Sequence, residues 1–355
     1  MTTPPIPGPL VLFGSGETSA SGQKVFDWLF RRLGQPLRVS ILETPAGFEL
    51  NSRQVAQRIA DFLAERLQNY SPQVTLVPAR GRGTPWSPDA PDVVAPLLHS
   101  DVIFLGPGSP SYAVRQLRDS LAWHMLRSRQ RLGAAVALAS AATIAAGALT
   151  LPVYEIYKVG EDPHWKRGLD LFADFGLNLV VVPHWNNSDG GSDLDTSRCF
   201  MGHERFAALH AMLPADAVVL GLDEHTALAV DWAGATCHVL GRGSVTLLAG
   251  GVSRVFGHGH SFSLAELGPY RLPEPASGLP SAVWQQALDA ILDAPAVDEP
   301  PAEVLALAER RQEARMQRVW AQSDALRAEI EALGWSVQDT AEGPVVVRKM
   351  VNGER

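Results

Sequence analysis

The sequence predicts an α/β fold, a three-layer sandwich in which a mostly parallel sheet lies between two layers of helices. Three observations carry this expectation. Over the first two-thirds of the chain, short apolar runs alternate with longer amphipathic ones. The short runs are uniformly apolar, as strands buried on both faces are, and do not alternate as half-solvated strands do. The segments between them are long enough for helical crossovers, which join parallel strands with a right-handed sense.

Taken in order, residues 9–13 (PLVLF) read as a strand that ends at Gly14-Ser15-Gly16. Residues 22–33 place Val25, Trp28, Leu29 and Leu33 at helical spacing. Residues 37–42 form a second strand, closed by Thr44-Pro45-Ala46-Gly47. A helix over 52–67 gathers Val55, Ile59, Phe62, Leu63 and Leu67 on one face. Strands follow at 74–77 and at 101–105 (DVIFL), the latter stopped by Gly106-Pro107-Gly108. Residues 110–127 read as one helix, 134–138 as a strand running into Ser140, and 177–182 as a further strand. After Leu213, short strands at 218–222, 227–230, 236–240 and 245–248 lie close together, with turns at Ala233-Gly234 and Arg242-Gly243. That spacing predicts a β-meander on the edge of the sheet.

Composition then divides the chain. Residues 1–262 carry the α/β pattern, 263–301 form a Pro-rich linker with one helix at 282–292, and 302–355 form a small helical module. In the module, Val319, Leu326, Ile330 and Leu333 recur at helical spacing, Gly334 caps the helix, and 345–347 form a short strand.

The 355 residues are 46% apolar and 19% charged, enough for a large core and too little charge for a disordered chain. Thirty basic against 38 acidic residues give a net charge of -8, which argues against a dedicated nucleic-acid binder. No apolar run reaches membrane-spanning length, and no basic stretch precedes an apolar one at the start, so no membrane span or secretory signal is read. Cys199 and Cys237 cannot build a disulfide scaffold and read as thiols in a reducing cytoplasm.

In open parallel sheets, ligands sit beyond the carboxyl ends of the strands. The residues that follow each strand are therefore the candidates. Within AAVALASAATIAAGA (134–148), an apolar strand meets an Ala-rich helix at Ser140. A serine on such a turn either projects its hydroxyl above the sheet as a nucleophile, with the Ala141 N–H available to an oxyanion, or simply caps the helix. A serine nucleophile needs a base, and the base an orienting carboxylate. His184 directly follows a strand (VPHW), and Gly221-Leu222-Asp223-Glu224-His225-Thr226 offers carboxylates after another.

Several segments together carry a resemblance. They are Phe13-Gly14-Ser15-Gly16-Glu17, Phe104-Leu105-Gly106-Pro107-Gly108, the Ser140 turn, Gly168-Leu169-Asp170-Leu171, Pro183-His184-Trp185 and 220–228 (LGLDEHTAL). Over roughly residues 8–250, their order and spacing resemble the cyanophycinase and aspartyl dipeptidase family, serine peptidases on a class I glutamine-amidotransferase-like, flavodoxin-like fold. The resemblance implies Ser140 as nucleophile, His184 as general base, Glu224 as its orienting group, and an oxyanion hole from Ala141 and the Gly106–Gly108 loop. It implies a small peptide-like or isopeptide substrate and neither cofactor nor metal. At the nucleophile, the family pattern Gly-Thr-Ser-Ala-Gly is replaced by Leu138-Ala139-Ser140-Ala141-Ala142. That departure motivates the alternative of a non-hydrolytic member that binds a small molecule or regulates.

The polar stretch 184–198 (HWNNSDGGSDLDTSR) should form a loop over the site. Trp185 and Arg198 are candidate substrate contacts, Arg198 for a carboxylate. The rival is a metal site built from His184, Asp189, Asp193 and Asp195, although their spacing matches no EF-hand loop. A plain solvated loop, with Asp195 capping a helix over 196–212, is the third reading. Glu155 and Lys158 (PVYEIYKVG) either line the pocket or belong to a surface hairpin. His258 and His260 receive no role.

The tail, through Glu313-Ala314-Arg315, 323–327 (SDALR), Leu333-Gly334 and 337–340 (VQDT), resembles the C-terminal end of cysteinyl-tRNA synthetases. Residues 302–355 hold eight basic and nine acidic residues and no basic stripe. Trp320 and Trp335 are expected to pack the module rather than stack on bases. The expectation is docking or assembly, self-association included, rather than strong RNA binding. An RNA-associated role through the tail is the third functional alternative.

Overall fold

The computed structural model describes residues 5–33, 37–293, 300–340 and 343–348. The chain divides into two compact units, Met1–Asp293 and Ala294–Arg355.

The first unit opens with β1 (Leu10–Phe13), α1 (Ala20–Phe30), β2 (Arg38–Leu42), α2 (Ser52–Arg66) and β3 (Gln73–Val77). The short α3 (Pro91–Val94), then β4 (Val102–Leu105), α4 (Pro110–Leu117), α5 (Leu121–Arg131), β5 (Ala135–Ala139) and α6 (Ala141–Ala145) follow. Next come β6 (Leu149–Thr150), β7 (Lys166–Arg167), β8 (Leu179–Val182), α7 (Ser197–Phe200), α8 (Gly202–Ala211), β9 (Val218–Leu222), β10 (Thr226–Asp231) and β11 (Thr236–Gly241). The unit closes with β12 (Ser244–Ala249), β13 (Val252–Gly257), β14 (Ser261–Ser263) and α9 (Ser281–Leu292).

The expected α/β sandwich is present. An eight-stranded sheet runs in the order β14-β11-β10-β1-β5-β4-β2-β3, and the five strands from β1 to β3 are mutually parallel. Every residue of β1, β4 and β5 is buried, which is why these runs show no polar alternation. The pleat sends Leu10, Leu12, Ile103, Leu105, Val136 and Leu138 into one core, and Val11, Phe13, Val102, Phe104, Ala137 and Ala139 into the other. Phe26 of α1 fills the second core, with its ring 5.3 Å from Phe13, 5.7 Å from Phe30 and 6.1 Å from Phe104.

The expected edge meander is corrected. Its strands divide between two sheets: β10 and β11 extend the large sheet, whereas β9 and β12 join β8 and β13 in a second sheet of order β13-β12-β9-β8. β10 is drawn into the large sheet by antiparallel pairing with the open edge of β1 (Leu12 opposite Leu228). β9 pairs in parallel with β8 (Val181 opposite Leu220). The chain therefore changes sheets at 223–225 and again at 242–243.

Two further expectations shift. The helix expected over 110–127 breaks at Asp119 (φ 57°), and Ser120 caps α5 by accepting from the Trp123 N–H. The stretch read as a linker is held on the body as far as α9. The buried Arg131 guanidinium donates to the carbonyls of Glu274, Pro275 and Ser277, and Arg127 donates to Gly278. Both arginines share the Asp174 carboxylate at 2.5 and 2.9 Å.

The second unit comprises α10 (Ala302–Met316), α11 (Trp320–Ala332) and a hairpin of β15 (Trp335–Thr340) and β16 (Gly343–Arg348). Val304, Leu307, Ala308, Leu326, Ile330, Trp335 and Val337 form its core. Buried Arg311 grips Asp339 in a bidentate pair at 2.6 and 3.0 Å. Trp335 packs as expected, but Trp320, Val319 and Leu333 are exposed, because α11 turns only its Ser323–Leu326–Ile330 stripe inward.

The packing of the second core yields a first prediction. Phe26→Ala should lower the unfolding free energy by about 3–5 kcal/mol in a denaturant titration. Leu50→Ala, at a fully exposed side chain, should change it by less than about 0.5 kcal/mol. Equal effects would contradict the packing described.

Candidate active site

β5 delivers Ser140 at the carboxyl edge of the large sheet. The strand is fixed on both sides, by β1 (Leu12 opposite Leu138) and by β4 (Leu105 opposite Leu138). The turn into α6 contains no glycine, and Ser140 itself takes the unusual backbone, φ 51° and ψ −111°. Its side chain makes no capping hydrogen bond. Thr143 holds the turn instead, its hydroxyl lying 2.8 Å from the Leu138 carbonyl and 3.1 Å from that of Phe13. Leu138 and Ala142, standing where glycines were expected, are both buried in the core.

β8 delivers His184, also at positive φ (51°), and its N–H donates to the Gly14 carbonyl. β9 ends at Leu222, and the turn 223–225 carries Glu224 between the two sheets. These elements bring three side chains into line. Ser140 Oγ lies 3.1 Å from His184 Nε2, and His184 Nδ1 lies 3.0 Å from Glu224 Oε1. Ser140 follows a strand of the large sheet, whereas His184 and Glu224 follow β8 and β9 of the second.

The chemistry fixes the proton positions. An ionised carboxylate only accepts, so Nδ1 of a neutral imidazole carries the proton, and Nε2 accepts the Ser140 O–H. The hydrogen bond from His184 holds the Glu224 carboxyl below its usual range; burial opposes this, and a hydrogen bond from Asn187 adds to it. Burial raises the neighbouring Asp223 carboxyl, which accepts the Ser244 N–H at 2.8 Å. Burial also raises Glu17, which lies within electrostatic reach of His184 and His225.

The glycine loop after β4 approaches the backbone closely. A Cβ on Gly108 (φ 146°) would stand 1.9 Å from the Pro45 carbonyl oxygen, so only glycine fits there. Among the described residues, the N–H groups of Ala141 and Gly108 donate no hydrogen bond within the chain. Gly106 is buried beside Phe104.

The expected substrate contacts fare differently. Trp185 is buried, set edge-on against Phe206 and packed over Gly221. Arg198 stacks on that indole at 4.0 Å and donates to the Trp185 carbonyl at 2.8 Å. Burial takes Trp185 away from the expected substrate contact, whereas Arg198 is half-buried and only its Nη1 donates within this stack. Residues 198–200 form a left-handed turn, and the expected helix starts only at Gly202, with Asp195 accepting from the His203 N–H. Asp195 thus performs the expected capping. Glu155 accepts from Lys166 at 2.7 Å, in an irregular helical turn carried between the antiparallel pair β6 and β7, and Lys158 lies exposed over the Tyr157 ring, as the hairpin reading has it. Among the described residues, no group of three or more His, Cys, Asp or Glu side chains is placed to hold a metal ion.

Sequence reasoning missed three residues here. Glu17 follows the first strand, and a strict search beyond each strand end would have found it. Asn186 and Asn187 lie in the loop after His184, where nothing periodic marks which side chains turn back to Glu224.

No family model matches the chain. Among curated proteins it is 47% identical over 51 residues to the cysteine–tRNA ligase of Rubrobacter xylanophilus, covering 14% of this chain and 11% of that protein. It is 51% identical over 49 residues to that of Methanosarcina mazei, covering 14% and 10%. The chain thus spans about a tenth of the length of these ligases. Among solved structures, a peptidase from an acI-B1 Actinobacterium aligns with a TM-score of 0.58 at 20% identity, covering 73% of this chain and 97% of that one. That likeness shows the fold.

The backbone at Ser140 yields a second prediction. Relief of its positive φ should make Ser140→Gly more stable than the parent by about 1 kcal/mol, the net of strain relief and the entropy cost of glycine. Thermal or denaturant unfolding checks this, and a destabilised variant would show that the turn stores no strain.

Proposed function

We propose that this protein is a serine peptidase of the cyanophycinase-like type, cleaving a small peptide or isopeptide amide through an acyl-enzyme. The observation that carries the reading is the hydrogen-bonded succession Ser140–His184–Glu224, with both links near 3 Å. His184 Nε2 takes the Ser140 proton as Oγ attacks the carbonyl carbon, Glu224 stabilises the imidazolium that forms, and the same proton passes to the leaving amine. Water, deprotonated by His184, then attacks the acyl carbonyl, and the proton returns to Ser140 Oγ as the ester bond breaks and the acid leaves. The N–H groups of Ala141 and of the Gly106–Gly108 loop are assigned to the oxyanion. The chain resembles the family over most of its first unit, and the solved neighbour is itself described as a peptidase.

The non-hydrolytic alternative rested on the missing glycines. It loses that support where Ser140 accepts the positive φ itself and Thr143 ties the turn. The cytoplasmic placement belongs to this proposal too, and the two unpaired, buried thiols favour it. For the C-terminal module we propose docking or assembly, because its charges balance within one unit and form no basic stripe.

A fluorophosphonate probe should label the parent protein at Ser140 and leave Ser140→Ala unlabelled. Hydrolysis of a panel of dipeptides and β-aspartyl isopeptides should fall by at least about 10³-fold in kcat/KM in Ser140→Ala and in His184→Ala. A folded parent that takes no label and cleaves none of the panel would sink the reading.

A further inference from the structure

Glu224 is held by more than His184. Asn187 is buried, and its Nδ2 donates to Glu224 Oε1 at 3.0 Å, the same oxygen that faces His184 Nδ1. The orientation of the Asn187 amide follows from its other bonds. Its Oδ1 accepts the Asp189 N–H at 3.2 Å, which leaves the NH₂ group for the carboxylate. The Asn187 backbone is fixed as well, with its N–H on the His184 carbonyl at 3.1 Å. The preceding side chain acts on the main chain of the same residue, since Asn186 Oδ1 accepts the Glu224 N–H at 2.8 Å. Two consecutive asparagines thus fix the peptide and the carboxylate of Glu224.

We infer that Asn187 is a positioning residue of the triad: its amide turns Glu224 Oε1 toward His184 Nδ1, to accept that N–H bond without the proton transferring to the carboxylate. The inference rests on the peptidase reading. A carboxylate on a Glu side chain rotates freely unless a second donor pins it, and a twist would break the link to His184. An oxygen that already accepts two N–H bonds is also less basic, so the proton stays on the imidazole through the reaction. The ionisable groups around Glu224 are His184, His225, Asp223 and Cys199, and Glu17 faces His184 from the loop after β1.

The test compares the parent, Asn187→Ala and Asn187→Asp as full-length proteins, using the probe and the peptide panel above. In Asn187→Ala, kcat should fall by about 10- to 100-fold with KM changed less than about two-fold. The acid limb of kcat/KM should move to higher pH, because loss of a donor to the ionised carboxylate raises its proton affinity. Asn187→Asp, nearly isosteric but repelling Glu224, should lose more activity and shift the limb further. A parent that neither reacts nor takes the probe defeats the peptidase reading itself. An active parent whose variants keep the parental pH profile and kcat overturns only the role of Asn187. Loss of folding in both variants also overturns it, by making the amide a structural tie.

Discussion

The site depends on one crossing of the chain. At 223–225 the polypeptide leaves the second sheet at the end of β9 and enters the large sheet at β10, and Glu224 lies in that passage. The crossing is locked from three sides. The Trp185 N–H donates to the Leu222 carbonyl, the Gly14 N–H to the Thr226 carbonyl, and the His225 N–H to Ser15 Oγ at 3.1 Å. A Cβ on Gly16 (φ 73°) would stand 2.3 Å from His225 Nδ1, so any other residue there would be strained and would push the exposed His225 ring aside. His184 then closes the arrangement onto the large sheet through Gly14. The hydroxyl on one sheet and the imidazole and carboxylate on the other are brought together by this seam.

Strain gathers at the seam and at the site. Ser140, His184 and His225 are all non-glycine residues at positive φ, each costing about 1–3 kcal/mol, and Arg198, Cys199 and Phe200 add a left-handed turn. Such conformations persist only where the surroundings over-determine them. Here the surroundings are two fully buried cores, the two Thr143 bonds, and the Trp185–Arg198 stack beneath the loop. The cost is concentrated where a side chain must stand clear of the sheet, which accords with a site that needs fixed geometry before a ligand arrives.

Much of this was legible in the sequence, for identifiable reasons. Strands buried on both faces must be uniformly apolar, so β1, β2, β4, β5 and β8 were visible. Residues at strand ends were therefore the right place to look for Ser140, His184 and Glu224. What stayed hidden is set by pairing and by side-chain direction. The runs at 218–222 and 227–230 look alike, and nothing local tells that one pairs with β8 and the other with β1. Trp185 looked like a ligand contact because its stack with Arg198, across 13 residues, leaves no periodic trace. Asn187 was hidden for the same reason, and Trp320 looked buried because its exposure depends on which face of α11 meets α10.

The loop over the site carries its own electrostatic frame, distinct from the one that holds Glu224. The Asp195 carboxyl is pushed down to about 2 by the nearby Ser197 side chain and by the N–H groups of His203 and Ser197, and the two N–H groups are the donors whose bonds the geometry supports, at 2.8 and 3.0 Å. A depressed carboxyl contributes stability that is fully present above the unfolded value near 4 and lost as pH falls through the folded one. The Asp195 contribution is therefore complete above about pH 4 and declines as pH falls toward about 2, and its exposure to solvent keeps it small. Glu224 is lowered by a different kind of partner. Its main donor is the His184 imidazole at 3.0 Å, with burial opposing and the Asn187 amide adding to the effect, so this carboxylate is held by side chains where Asp195 is held by backbone N–H groups.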